Sequence, residues 1–238
     1  MGALVLQSDF GISDGAVSAM YGVAHSVDTK IGIFDLTHDI PPFNIWEASY
    51  RLLQTVSYWP PGTVFVSVVN PGVVSSRRSV VARTCKDHYI ITPDNGTLSH
   101  LKEELAEVRI IGPQVSLDSL IHLPLQEAYI NRSGLHGIIE IHDVRFGNLW
   151  TNIRRSFVQK LDINYGDSVE VTIYREEEIL FKDNVIFGKS FADSQIGEPI
   201  CYINSLNNLG IAINQQSLTF KYKIGTGVNR KVRIRLIT

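Results

Sequence analysis

The chain has 238 residues, 44% of them apolar and 19% charged, with a formal net charge of −2. That length suits one large domain or two smaller ones with real cores, and the near-neutral charge gives no electrostatic case for nucleic acid or an anionic membrane. Cys85 and Cys201 stand far apart with no CxxC partner, which points away from a disulfide framework or zinc site and fits a reducing, cytoplasmic setting.

Met1 to Leu6 lacks the basic start and long apolar core of a signal peptide, and no run approaches transmembrane length. Ala3 to Leu6 reads as a short strand that runs into Ser8-Asp9-Phe10-Gly11. Ala16, Val17, Met20, Val23, Ala24 and Val27 then recur at three- and four-residue spacing, one helical stripe, with Asp14 in the N-cap region. Ile31 to Leu36 reads as a second strand. The paired prolines of Thr37-His38-Asp39-Ile40-Pro41-Pro42-Phe43 forbid helix in the loop that follows.

Ile45, Ala48, Leu52, Leu53 and Val56 mark a second helix, closed by Pro60-Pro61-Gly62, and Val64 to Val69 a third strand. Ser79 to Thr84 and His88 to Thr92 are further strand candidates, Pro93-Asp94-Asn95-Gly96 is a turn, and Leu98 to Leu105 looks like a short helix. Strands spaced by helices in this way predict an α/β N-terminal domain with a mostly parallel sheet, over residues 1–128.

From about Gly134 the pattern changes. His136 to His142, Ser168 to Tyr174, Ile179 to Phe187, Pro199 to Ile203, Leu209 to Ile213 and Lys231 to Ile237 read as strands punctuated by Gly and Asn turns. They predict a smaller all-β antiparallel C-terminal domain, a barrel or sandwich, over 134–238. Arg233 and Arg235 alternate with Val232, Ile234 and Leu236, the pattern of a solvated strand face rather than a phosphate patch.

Ligands of open α/β sheets sit beyond the carboxyl ends of strands. Asp9 follows the first strand and Asn70 the third, so in a parallel sheet both reach one crevice. A carboxylate at Asp9 suits a ribose diol, which offers two hydroxyl hydrogens; a turn-capping role is the alternative. Arg77 and Arg78 are adjacent and must point differently, so one can enter the crevice while the other stays in solvent. In Phe146-Gly147-Asn148-Leu149-Trp150-Thr151-Asn152 the glycine allows close backbone approach, and Phe146 with Asn148 suits stacking on and hydrogen bonding to a base. An aromatic-anchored β-turn is the alternative there. His38 and His142 form no metal-binding spacing and read as satisfied structural groups; P-loop and GxGxxG patterns are absent.

Six motifs together resemble the S-adenosyl-methionine hydroxide adenosyltransferases, the hydrolase family related to the fluorinase and chlorinase enzymes. They are Ser8-Asp9-Phe10-Gly11, Asp35 to Pro42, Val69-Asn70-Pro71-Gly72-Val73 through Arg78, Pro93-Asp94-Asn95-Gly96, Arg145 to Asn152, and Tyr202-Ile203-Asn204-Ser205. They occur in the family's order and span nearly the whole chain. The resemblance implies attack of water on the ribose C5′ of S-adenosyl-L-methionine, giving adenosine and L-methionine. It implies no cofactor and no metal, and a homotrimer with each site between the α/β domain of one subunit and the β domain of the next.

Carried over, the resemblance makes Asp9 the ribose-diol ligand and Phe43 an aromatic wall. It puts Asp143 and Ser205 at the methionine end, Phe146 and Asn148 at the adenine, and Arg77 in the place of the catalytic arginine. Two departures stand out. The family's catalytic aspartate is Asn70 here, and the glycine after it is Val74. The family's histidine-bearing segment has no counterpart, since Glu107-Val108-Arg109-Ile110-Ile111 passes directly to Gly112-Pro113. The expectation is therefore hydrolysis with an incomplete catalytic set, or else non-catalytic binding of S-adenosyl-methionine or adenosine. A halogenase is not expected, because the halogenases' additional loop is not evident.

Overall fold

The computed structural model describes residues 2–70, 77–110, 114–143 and 146–237. The chain divides into two compact units, residues 1–124 and 125–238. Among the described residues, no helix is long and apolar enough to cross a membrane.

The first unit begins β1 (Ala3–Ser8), α1 (Ala16–Val27), β2 (Gly32–Thr37), α2 (Ile45–Val56), β3 (Val64–Val68), as the alternating periodicities predict. Asp14 stands just ahead of the α1 cap, Gly15, and its carboxylate accepts from the Ala16 N–H. In α2 the Asn44 side chain caps the Glu47 N–H at 3.0 Å, and Ala48, Tyr50, Leu52 and Val56 turn inward. Glu47 pairs with Arg51 one turn later, the favourable order along a helix.

β4 (Ser79–Thr84), β5 (Tyr89–Pro93), β6 (Leu105–Ile110) and β7 (Gln114–Val115) complete a seven-stranded sheet in the order β2-β1-β3-β5-β4-β6-β7. The sheet is mixed, not mostly parallel: β1–β2, β1–β3 and β3–β5 are parallel, but β4–β5, β4–β6 and β6–β7 are antiparallel. The cause is the short turn from Cys85 to His88, which can reverse the chain but cannot carry a parallel crossover. The stripe from Leu98 to Leu105 forms only a 3₁₀ turn, Ser99–Glu104, and the chain then enters β6. Val5, Leu52, Val56, Phe65, Ile90 and Leu101 lie in the core between sheet and α2.

The second unit contains β8 (Tyr129–Asn131), β9 (Gly134–Asp143), β10 (Asn148–Arg154), α3 (Arg155–Lys160), β11 (Ser168–Arg175), β12 (Glu178–Phe187), β13 (Pro199–Ile203), β14 (Asn208–Ile213), α4 (Leu218–Tyr222) and β15 (Gly227–Leu236). Its sheet runs β10-β14-β13-β12-β11-β15-β9-β8, and the extra β9–β10 pairing closes seven of these strands into a barrel. Closure leaves only β8 as an added edge strand and encloses Leu135, Ile139, Leu149, Ile153, Val171, Ile173 and Ile211. The all-antiparallel expectation needs correction. β12 and β13 pair in parallel, because the chain between them makes a long return through a 3₁₀ turn at Phe191–Asp193, and α3 and α4 interrupt the strands.

Candidate functional site

β1 and β3 pair in parallel with Ser8 opposite Val68, so Asp9 and Asn70 leave the sheet at the same edge. Asp9 Oδ2 accepts two backbone N–H groups, from Phe43 at 2.9 Å and from Asn70 at 3.3 Å. Both donors sit in the left-handed region, Phe43 with φ 65° and Asn70 with φ 44°. That conformation costs a residue such as Phe43 about 1–2 kcal/mol, so it persists where surrounding bonds hold it, whereas Asn tolerates it better. Among the described residues, Asp9 Oδ1 makes no hydrogen bond. Ile40, Ala48 and Val69 form a small buried cluster that seats the proline loop, and the Phe43 ring is 73% exposed above it.

The sheet beneath is tied by polar contacts. Ser67 Oγ donates to Gln7 Oε1 at 2.7 Å, and Gln7 Nε2 donates to the Ala48 carbonyl at 3.3 Å; both side chains are buried. These bonds tie the β1 end, the β3 end and α2 to one another.

The turn at Asp94 to Thr97 closes over the same strand end. Asn95 Nδ2 donates to the Val69 carbonyl at 2.9 Å and to the Asn70 carbonyl at 3.3 Å, while Asn95 Oδ1 accepts from the Thr97 N–H and hydroxyl at 3.1 and 2.6 Å. The two arginines diverge, as adjacency requires. Arg77 is exposed and its Nη1 donates to the Asn70 carbonyl, whereas Arg78 pairs with buried Asp94 and donates to the Ser119 carbonyl at 2.8 Å. Asp94 also accepts the Ile121 N–H at 2.8 Å.

Ser8 heads a chain of contacts that runs from the buried strand end beside Asp9 out to the surface. Ser8 Oγ lies 2.7 Å from His38 Nδ1, and His38 Nε2 lies 2.9 Å from Asp35 Oδ1. The Tyr21 hydroxyl donates to both Asp35 oxygens, at 2.5 and 2.6 Å. An ionised Asp35 only accepts, so Nε2 of His38 carries hydrogen and, in the neutral ring, Nδ1 accepts from Ser8. Burial works against the Asp35 charge, but the bonds from Tyr21 and His38 outweigh it and hold this carboxyl below its usual range. The carboxylate in turn pushes the Tyr21 phenol up to about 12. Ser8 and His38 are buried, so this end of the array supports the strand end, while Asp35 and Tyr21 lie at the surface.

In the second unit, Asp143 ends β9 and Asn148 opens β10 directly opposite it. Gly147 lies in the turn between, with φ +73° and its N–H bonded to the Asp143 carbonyl at 2.6 Å. A Cβ there would stand 1.9 Å from Ser217 Oγ, so only glycine lets the turn lie on the start of α4. The Phe146 ring is 63% exposed on this turn. Asn148 is buried, yet its side chain makes no hydrogen bond to another described residue. Ser205 is exposed in the turn after β13, which is shaped by Asn204 Oδ1 accepting from the Leu206 and Asn208 N–H groups at 2.9 and 3.0 Å. Beside it the Trp150 Nε1 donates to the Tyr202 hydroxyl at 2.9 Å, and burial pushes that phenol up to about 12, with Asp143 adding to the rise.

Asp9, Phe43, Asn70 and Arg77 are thus gathered at one sheet edge of the first unit. Asp143, Phe146, Asn148 and Ser205 belong to turns and strand ends of the second. Pro71 to Ser76, which include Val74, lie outside the described residues, as do Val144-Arg145 and the Ile111-Gly112-Pro113 junction. Sequence reasoning missed Asn95, which it took as a turn residue, and the Tyr21–Asp35–His38–Ser8 chain. The motifs contained Ser8, Asp35, His38 and Asn95 but not Tyr21, and nothing in them shows which of these side chains meet across the fold.

Residues 4–120 match the model of the SAM hydroxide adenosyltransferase N-terminal domain, and residues 137–231 match that of the C-terminal domain. An (R)-S-adenosyl-L-methionine hydrolase from Methanocaldococcus jannaschii is 31% identical, with 88% of this chain and 87% of the relative covered. A fluorinase from Actinopolyspora mzabensis is 22% identical over 96% of each chain. That alignment spans 291 positions, more than this chain's 238 residues, so the relative carries residues with no counterpart here. The crystal structure of an uncharacterised conserved protein from Thermotoga maritima superposes with a TM-score of 0.88 at 26% identity, covering 97% of this chain and 99% of that one.

Proposed function

Because this chain belongs to the SAM hydroxide adenosyltransferase family, we propose that it hydrolyses S-adenosyl-L-methionine to adenosine and L-methionine. Water attacks the ribose C5′, the C5′–S bond breaks, its electron pair passes to sulfur to give the methionine thioether, and one proton is released. A sulfonium is a good leaving group, so the protein's task is to hold water in line with that bond and partly out of bulk solvent.

The observation that carries this reading is the Asp9 carboxylate, which joins the Phe43 and Asn70 backbones at one strand edge and keeps Oδ1 for a ligand among the described residues. Asp9 takes the ribose diol and Phe43 stacks as a wall. Phe146 and Asn148 hold the adenine, which the position of Asn148, buried at the start of β10 beside the exposed Phe146, supports; Asp143 and Ser205 receive the methionine end. Asn70 and Arg77 hold the water. Asn70 accepts a hydrogen bond but neither takes a proton nor carries charge, so it lacks the carboxylate's attraction for the sulfonium. The loss of such a group slows the step by roughly a hundredfold or more. The working form is a cytoplasmic homotrimer, with each site formed by the α/β unit of one copy and the barrel of the next.

The test is chromatography of pure protein incubated with S-adenosyl-methionine. Adenosine and methionine above a heat-killed control support the proposal, and unchanged substrate overturns it. Asn70 favours one second reading, a non-catalytic binder of S-adenosyl-methionine or adenosine. It predicts calorimetric binding without turnover, and fails if neither ligand binds at millimolar concentration.

A further inference from the structure

We propose that Asn95 is a positioning residue, which together with Asp9 fixes the backbone of Asn70 and so aims its side chain. The peptide between Val69 and Asn70 is gripped across both edges: its carbonyl accepts from Asn95 Nδ2 at 2.9 Å, and its N–H donates to Asp9 Oδ2 at 3.3 Å. The next peptide is held by its carbonyl, which accepts from the same Nδ2 at 3.3 Å and from Arg77 Nη1. One amide group therefore bridges the carbonyls on either side of the Asn70 Cα, and rotation about φ or ψ of Asn70 must break at least one of these bonds.

The φ of Asn70 is 44°, a left-handed conformation that Asn adopts more readily than most residues with a Cβ, and these bonds fix it there. The clamp is itself rigid. Thr97 supplies two donors to Asn95 Oδ1, which fixes which end of the amide faces the strand, and the neighbouring Asp94 is locked by Arg78 and the Ile121 N–H. Asn95 and Thr97 are both buried.

The catalytic consequence rests on the reading above, in which Asn70 contacts the attacking water; the clamp itself does not. Asn95→Asp separates the two parts of the residue. A carboxylate still accepts from Thr97 and keeps the turn, but it donates nothing to the Val69 and Asn70 carbonyls. The expected result is a kcat lowered roughly tenfold to a hundredfold with KM changed less than about threefold, since misplacement of a reacting group by about an ångström acts at that scale. In the same samples, nuclear magnetic resonance should show the Asn70 amide shifted and exchanging its hydrogen about tenfold faster or more. A purely structural turn residue would lower melting temperature and leave kcat per folded molecule and the Asn70 amide unchanged; that result overturns the proposal. If the unaltered protein yields no adenosine, the hydrolysis reading fails, and the Asn70 amide alone decides the clamp. If Asn95→Asp does not fold, the unaltered protein decides it: the Asn95 side-chain amide protons must be protected from exchange, and free exchange overturns the clamp.

Discussion

Asp9 accepts the backbone N–H of Asn70, 61 residues later in the chain, through the same carboxylate oxygen that accepts from Phe43. One side chain thus joins the ends of two parallel strands to the proline loop. Asp9→Ala should lose both hydrogen bonds, destabilise the chain by about 1–3 kcal/mol and abolish adenosine binding, whereas Asp9→Asn keeps an acceptor oxygen and should recover most of the stability. Denaturant unfolding and calorimetry on the two variants check this. Undiminished adenosine affinity in Asp9→Ala would remove the residue from the site.

The Tyr21–Asp35 pair predicts a pH dependence at both extremes. Asp35 is held below the usual carboxylate value, so its contribution is complete above about pH 4 and is lost as pH falls through the lower folded value. Tyr21 is raised to about 12, so its contribution is complete below about pH 10 and is lost as pH rises through 12. Melting curves against pH should flatten at both ends in Asp35→Asn. Ultraviolet titration of the unaltered protein minus Tyr21→Phe should show a phenol ionising near 12; ionisation near 10 contradicts the pair. The Asp35 side chain is 47% exposed, so solvent screening keeps the energy small.

Gly147→Ala brings two faults together, a Cβ at φ +73° and a contact of 1.9 Å with Ser217 Oγ. The expected cost is about 2–4 kcal/mol, from strain and overpacking combined. Thermal unfolding measures it. A second change, Ser217→Gly, should return part of the loss by removing that oxygen, and no recovery would mean that the turn does not rest on α4.

Asn70→Asp restores charge and proton affinity at the end of β3. The rate of adenosine release should rise about tenfold or more, with the gain appearing in kcat. A fall in rate with intact folding would show that the amide, not the carboxylate, is the group this site uses.

Periodicity made the run from β1 to β3 legible, most directly in α2, which buries Ala48, Leu52 and Val56, and in β3, which alternates. The α1 stripe has the helical spacing, yet only Val17 of it is buried, with Val23 and Val27 exposed. Strand direction was not legible, since the short Cys85–His88 turn rather than any residue pattern makes β4 run against β5. β6 was hidden behind a stripe from Leu98 to Leu105 that matches helix spacing but closes only as a 3₁₀ turn. β10 was hidden because Gly147 and Asn148 read as turn signals immediately before a strand. Asp9 and Asn70 were placed correctly at one edge from strand-end logic alone. Asn95 and His38 gain their meaning from partners across the fold, which local sequence does not encode.

In the proposed reaction, water becomes the 5′ oxygen of adenosine. Incubating the protein with S-adenosyl-methionine in water enriched in oxygen-18 and weighing the product by mass spectrometry tests it directly. The expected product is adenosine carrying the heavy oxygen on its 5′ carbon, released mole for mole with methionine. Adenosine without the label, or no adenosine above a heat-killed control, contradicts it.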